Sequence, residues 1–160
     1  MRQRAQVTNI ITFKNSLIIE RPCEEVFAFI ADFRNMPKWN SHVLTVDRLS
    51  GKVSRVGTIY RQVRKTDTHD YEVVEHSPPR AVTVETLPPT RLLKMRFTFQ
   101  EVGRNTKLTN EWTLGGTSLG LFKGFAERKV KGAVAENLLK LKTLLETGQV
   151  RLQDGREVYR

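Results

Sequence analysis

Residues 91–114 read RLLKMRFTFQEVGRNTKLTNEWTL, and their alternation decides the fold. Met95, Phe97 and Phe99 fall on one side of an extended chain, with Lys94, Arg96, Thr98 and Gln100 on the other. Successive side chains of a strand point to opposite faces, so this is a strand with one apolar face. Gly103-Arg104-Asn105 supplies turn chemistry. After it Leu108, Asn110, Trp112 and Leu114 share a face opposite Lys107, Thr109, Glu111 and Thr113. The stretch therefore predicts two antiparallel strands with a common apolar side, on which the Asn110 amide is the polar exception.

The same texture extends upstream. HVLTVDRL (42–49), GTIYRQVRK (57–65), HDYEVVEHS (69–77) and RAVTVETL (80–87) are β-rich runs divided by Ser50-Gly51, Asp67-Thr68, Ser77-Pro78-Pro79 and Pro88-Pro89. Connections this short predict a meander. Ahead of it, FKNSLIIE (13–20) reads as an opening strand. A first helix is expected over residues 22–32, with Pro22 in its first turn, Glu24 and Glu25 at the positive end of the dipole, and Val26, Phe27, Phe29 and Ile30 as its apolar stripe. Pro37 biases Met36 away from helical geometry, so a second short helix is expected to start at Pro37 and carry Trp39.

Downstream, GGTSLG (115–120) is read as a turn. Phe122, Ala126, Val130, Ala133, Val134, Leu138, Leu141 and Leu145 then recur at helical spacing, predicting a long amphipathic helix ended by Gly148. Such a helix, about 40 Å long, can cross a whole sheet. The last twelve residues, QVRLQDGREVYR, are charged and are expected to form a mobile tail. The fold class that follows is α+β: a seven-stranded antiparallel sheet wrapped around a long C-terminal helix, with two short helices after the first strand.

Composition narrows the function classes. One cysteine among 160 residues excludes an intramolecular disulfide, and a reducing cytoplasm is the natural compartment. The basic N-terminus lacks the apolar stretch of a secretory signal. The longest apolar run, Val26 to Ala31, is far short of the ~20 residues of a membrane helix. Lys and Arg exceed Asp and Glu by 27 to 17, a formal charge of +10. The excess is dispersed, and its densest patch, Lys123, Arg128, Lys129 and Lys131, suits a solvated helix face. No nucleic-acid partner is expected, since no helix-turn-helix or aromatic RNA-binding signature accompanies the charge. A weak contact with an anionic membrane surface stays open.

The opening strand, PCEEVFAFIADFRNMPKW (22–39), Val56-Gly57-Thr58 at a strand start, YEVVEHSPPRAV (71–82) and a closing helix ending LKTLLE (141–146) resemble the START-like, helix-grip superfamily. Within it the resemblance is to the polyketide cyclase/dehydratase-like branch, which shares the birch-pollen-allergen fold. It covers residues 12–147, and the domain is expected over 1–148 with 149–160 as tail. The resemblance implies a cavity between sheet and long helix for an apolar or amphipathic small molecule.

Few residues suggest chemistry. Glu24 and Glu25 are adjacent on a helix and diverge. His42, His69 and His76 have no metal-ligand spacing, so no metal or cofactor is expected. Cys23 has no base placed beside it by sequence order. What remains is a ligand-lining set. Phe97, Phe99 and Trp112 come from the sheet and Phe122 and Phe125 from the helix, and the resemblance implies that Trp39 turns inward and closes one end of the gap. Asn110 and Tyr60 are the polar handles, and Asn137 raises the same question on the helix stripe. The strand 57–65 has two settings: Arg61 inward, selecting an acidic group, or Tyr60 and Gln62 inward. Two functions are carried forward, ahead of a third in which the basic face of the last helix and the tail serve as a membrane-surface or partner-binding module. One is binding of a lipid, quinone, isoprenoid or aromatic metabolite without chemistry. The other is a cyclase/dehydratase-like enzyme using Asn110, Tyr60 or His42. Neither identifies the oligomeric state.

Overall fold

In the computed structural model, which describes residues 10–115 and 123–160, the alternating segments pair into one antiparallel sheet. Its strands are β1 (Ile10–Ile19), β2 (Val43–Arg48), β3 (Ile59–Arg64), β4 (Thr68–Ser77), β5 (Ala81–Thr86), β6 (Leu93–Val102) and β7 (Asn105–Gly115). Their order is β1-β7-β6-β5-β4-β3-β2, so β2 to β7 form the meander and β1 adds beside β7. That order puts β1 and β2 at opposite edges. The connection between them, α1 (Cys23–Ala31) and a 3-10 helix (Phe33–Lys38), must therefore bridge from one edge to the other. The second α-helix, α2 (Lys123–Thr147), follows β7.

Register turns alternation into rows across the sheet. On one face Val73, Val84, Met95, Trp112 and Phe13 stand opposite one another in sequence through β4, β5, β6, β7 and β1. All but Trp112 are buried, and Trp112 packs against the core they form. On the other face Glu75, Thr83, Arg96, Glu111 and Lys14 form a parallel row. There Arg96 Nε donates to Glu75 Oε2 at 2.9 Å, Thr83 Oγ1 donates to the same oxygen at 2.6 Å, and Lys14 Nζ lies 3.7 Å from Glu111. Arg61 and Asp70, directly paired across β3 and β4, add a two-pronged ion pair at 2.9 Å on each prong. One face is thus served by charge pairing, and the apolar face needs a cover.

That cover is α2. Leu138, Leu141, Leu144 and Leu145 on its C-terminal half are fully buried. The N-terminal half carries smaller or flanking groups, Val130, Ala133 and Val134, where the fit to the sheet loosens. Gly148 ends the helix at φ +84°, with its N–H donating to the Leu144 carbonyl at 2.9 Å. This left-handed closure is the one glycine takes without strain.

Two expectations about the elements are corrected. The short helix starts at Phe33 and not at Pro37, because the Asp32 side chain accepts from the Arg34 N–H and caps the turn four residues earlier. Trp39 is its C-cap residue. Residues 149–160 are not a loose tail. β8 (Gln149–Arg151) and β9 (Glu157–Tyr159) form a hairpin whose Val150 and Leu152 are buried in the same core. The turn rests on Gly155 at φ +88°, and Lys65 and the Ser41 carbonyl hold it through Asp154 and Arg156 at 3.1 Å each. The 115–120 turn lies, from residue 116 on, outside the described residues.

Candidate ligand-binding cavity

Where the N-terminal half of α2 leaves the sheet uncovered, a cavity of about 290 Å³ opens. Val43, Leu93, Met95 and Trp112 wall it from the sheet side, and Val130, Ala133 and Val134 roof it from α2. The small side chain of Ala133 is part of why the space exists: a leucine there, as at Leu138 five residues on, would fill it. Exposure separates the two ends. His42, Lys65, Thr66 and Lys129 are exposed and form the mouth with Arg64, whereas Gln62 and Tyr71 are buried and form the inner end. A small apolar void adjoins that inner end, shared by Tyr60, Gln62, Tyr71 and Phe33.

The facing of β3 is decided by its ion pair. Arg61 points outward to Asp70, so Tyr60 and Gln62 turn inward and are buried. Tyr60 stands opposite Tyr71 across β3 and β4, which brings three polar side chains to one buried place. Tyr60 Oη, Gln62 Oε1 and Tyr71 Oη have no hydrogen-bond partner among the described residues. Gln62 Nε2 donates to Met36 Sδ at 2.8 Å, leaving the amide oxygen without a partner among the described residues. Burial pushes the Tyr71 hydroxyl above its ordinary range, so it remains protonated and a donor. Unpaired buried polar atoms are rare in folded proteins, so each of these three calls for a partner that the described residues do not supply.

The sequence-derived site residues are dispersed by the structure. Trp112 lies on the cavity wall, stacked on Phe13 with ring centroids 5.9 Å apart. Tyr60 lines the adjoining void. Trp39, Phe97 and Phe99 are buried in core contacts: Trp39 meets Phe97 edge-on at 6.4 Å, and Phe99 meets Phe27 at 5.3 Å. Asn110 is buried beside the wall, on the same strand face as Trp112, donating to the Arg96 carbonyl at 3.3 Å and accepting from Trp112 Nε1 at 2.6 Å. Phe125 is 72% exposed and does not line the cavity; it sits off the Ala126–Val130–Val134 row that faces the sheet. Phe122 lies outside the described residues. Asn137 lines the cavity, and its Oδ1 accepts from Gln153 of the C-terminal hairpin at 3.3 Å. Tyr71 escaped the sequence reading although β4 carries the signal, with Tyr71 and Val73 alternating against Asp70 and Glu72.

A second hollow of about 860 Å³ lies beside Arg61, Asp70 and the Leu87–Thr90 loop. It is a broad open groove whose charged groups already satisfy one another, so it lacks the unpaired polar atoms of the inner cavity.

The family model for polyketide cyclase / dehydrase and lipid transport proteins matches residues 11–146. The chain belongs to that family. The polyketide cyclase / dehydrase and lipid transport family has the helix-grip architecture described above, and solved structures agree. TTHA0849 from Thermus thermophilus superposes with a TM-score of 0.69 at 15% identity, over 84% of this chain and 97% of that one. DR_A0006 from Deinococcus radiodurans gives 0.66 at 16%, over 86% and 99%. Ara h 8.0201, of the birch-pollen-allergen type, gives 0.64 at 11%, over 86% and 98%. At these identities the likeness establishes the fold alone. Comparison with curated proteins gives no match. Among the described residues of this family member, no helix is long and apolar enough to cross a membrane.

Proposed function

We propose that the protein binds one compact hydrophobic or amphipathic molecule, such as a quinone, isoprenoid, short lipid or aromatic metabolite, in the cavity under α2 and carries it without chemistry. The supporting observation is the pairing of apolar walls with the unpartnered Gln62 and Tyr71 at the inner end. A mostly apolar pocket with a few placed polar groups is the usual form of a small-molecule site. The volume, about 290 Å³, falls at the low end of the ~300–1,000 Å³ range of such sites and favours a ligand of one or two rings or a short chain. Carriage is preferred to cyclase or dehydratase chemistry because no carboxylate stands among the described lining residues, the inner end offers only a protonated phenol and an amide, and the one imidazole of the described lining, His42, is exposed at the mouth away from that end. The buried lone thiol of Cys23 suits a reducing compartment, and we place the protein in the cytoplasm.

Organic extraction of natively purified protein followed by mass spectrometry tests this reading. One apolar compound, recovered unchanged and rebinding the emptied protein at one per chain, is the expected result. Conversion of the rebound compound into another would favour the enzyme. Failure of the emptied protein to bind any apolar aromatic probe would overturn both.

A further inference from the structure

The inner end and the mouth of the cavity make opposite chemical demands, and together they specify a ligand more closely than shape does. At the inner end Tyr71 is 3% exposed and Gln62 4%. Tyr71 Oη is a protonated donor and Gln62 Oε1 an acceptor, both without a partner among the described residues. A ligand carbonyl would satisfy the tyrosine and leave the amide oxygen bare, while an apolar group would leave both bare. A hydroxyl serves both, accepting from Tyr71 and donating to Gln62. Because leaving a buried partner unpaired is penalised more than making the bond is rewarded, this pair discriminates strongly between otherwise similar ligands.

At the mouth the charged lining is all of one sign. Arg64, Lys65 and Lys129 line it beside the His42 imidazole, and no acidic residue does so among the described residues. Arg64 is tied to Asp67 at 2.7 Å and Lys65 to Asp154 at 3.1 Å. Lys129, on the turn of α2 that roofs the cavity, has no ion pair among the described residues. An anionic group at the mouth meets that ammonium without displacing an existing partner.

Resting on the cavity reading above, we propose that the ligand is a compact hydroxy acid. Its hydroxyl is held between Tyr71 and Gln62, its apolar body lies against Met95, Trp112 and Val134, and its carboxylate emerges beside Lys129.

Calorimetric titration of the full chain with four rigid probes tests this: a hydroxynaphthoate bearing its two groups at opposite ends of the rings, a naphthoate without the hydroxyl, a naphthol without the carboxylate, and naphthalene. The hydroxynaphthoate is expected to bind about tenfold more tightly than the naphthoate, the loss typical of stranding a buried hydrogen-bonding group. It should bind about threefold more tightly than the naphthol, the scale of an exposed charge contact, and this second margin should shrink with added salt. Gln62→Leu and Tyr71→Phe should erase the first preference and keep the second. Lys129→Glu should do the reverse, and as an exposed helix substitution it keeps the test open if a buried variant does not fold. Equal affinity of naphthoate and hydroxynaphthoate, the result if water alone serves the inner pair, overturns the proposal. So does equal affinity for all four, naphthalene included, although the carriage reading then stands. Binding of none of the four overturns both.

Discussion

Asn110 separates a residue that contacts a ligand from one that holds the contacting residue in place. On an apolar strand face its amide needs partners, and it finds them in the Arg96 carbonyl and the Trp112 indole N–H. Trp112 follows on the same face two residues later, so the hydrogen bond pins its ring, stacked on Phe13, as the cavity wall. Replacing Asn110 by leucine keeps the bulk and strands the indole N–H in a partly buried place. Asn110→Leu is expected to lower the free energy of unfolding by about 1–3 kcal/mol in urea titration. The double variant Asn110→Leu/Trp112→Phe, in which neither partner is polar, should lose less than the two single losses added together. A single variant as stable as the parent would show that the indole bond does not position the wall. The sequence pointed to Asn110 as needing partners, but alternation gives only the face a side chain occupies. Whether its partner is a ligand or the next indole depends on a distance of a few ångströms between two residues of one strand.

At the scale of elements, the C-terminal hairpin is the part of the fold that local pattern least reveals. Its apolar residues Val150 and Leu152 alternate, but two such positions in a segment of twelve residues are too few to show a period. Asp154-Gly155, a favoured hairpin-turn pair, was the available signal. Both apolar side chains reach the core, with Leu152 only 3% exposed. The turn residues Gln153, Asp154 and Arg156 meanwhile grip Asn137, Lys65 and the Ser41 carbonyl beside the cavity mouth. Leu152→Ala is therefore expected to cost about 2–5 kcal/mol, read as a lowered denaturant midpoint. A cost below about 0.5 kcal/mol, the usual range for surface substitutions, would mean the hairpin is not integral to the core. β6 and α2 were legible because each repeats its period several times against a solvated face, as at Met95, Phe97 and Phe99, whereas β5, buried on both faces over most of its length, was legible from its β-rich run between turn residues. The start of the 3-10 helix was not, because one Asp32 carboxylate outweighed the proline that follows it. The inner pair Gln62 and Tyr71 was half legible: the two settings of β3 were visible, and only the cross-strand ion pair Arg61–Asp70 chooses between them.

For the molecule as a whole, charge governs behaviour in acid. The chain carries +10 at neutral pH, and many of its carboxylates are committed to nearby cations. The Arg96 guanidinium, with help from the Thr83 hydroxyl, holds Glu75 down to about 2. Asp154, despite burial that would raise it, is held to about 2 by hydrogen bonds from the Arg156 N–H and from Lys65. Arg34 lowers Asp32 and Arg61 lowers Asp70 in the same sense. Each of these groups binds its proton more weakly folded than unfolded, where the ordinary values are 4.5 for Glu75 and 3.8 for Asp154. Their contribution to stability is thus complete above about pH 5 and drains away as the pH falls through about 4 towards 2. Protonation also removes negative charge from an already cationic molecule, so self-repulsion acts in the same direction. Thermal unfolding is expected to show a flat midpoint from about pH 7 to 5 and a steep decline below about 4. Glu75→Gln should lower the midpoint at neutral pH, where the ion pair row across β4, β5 and β6 is lost, and should flatten the decline in acid, because the variant has one proton fewer to take up. A variant curve parallel to the parent's from about pH 7 to 2.5 would show that Glu75 is not linked to folding and that the row on the solvated face of the sheet is surface charge without structural consequence.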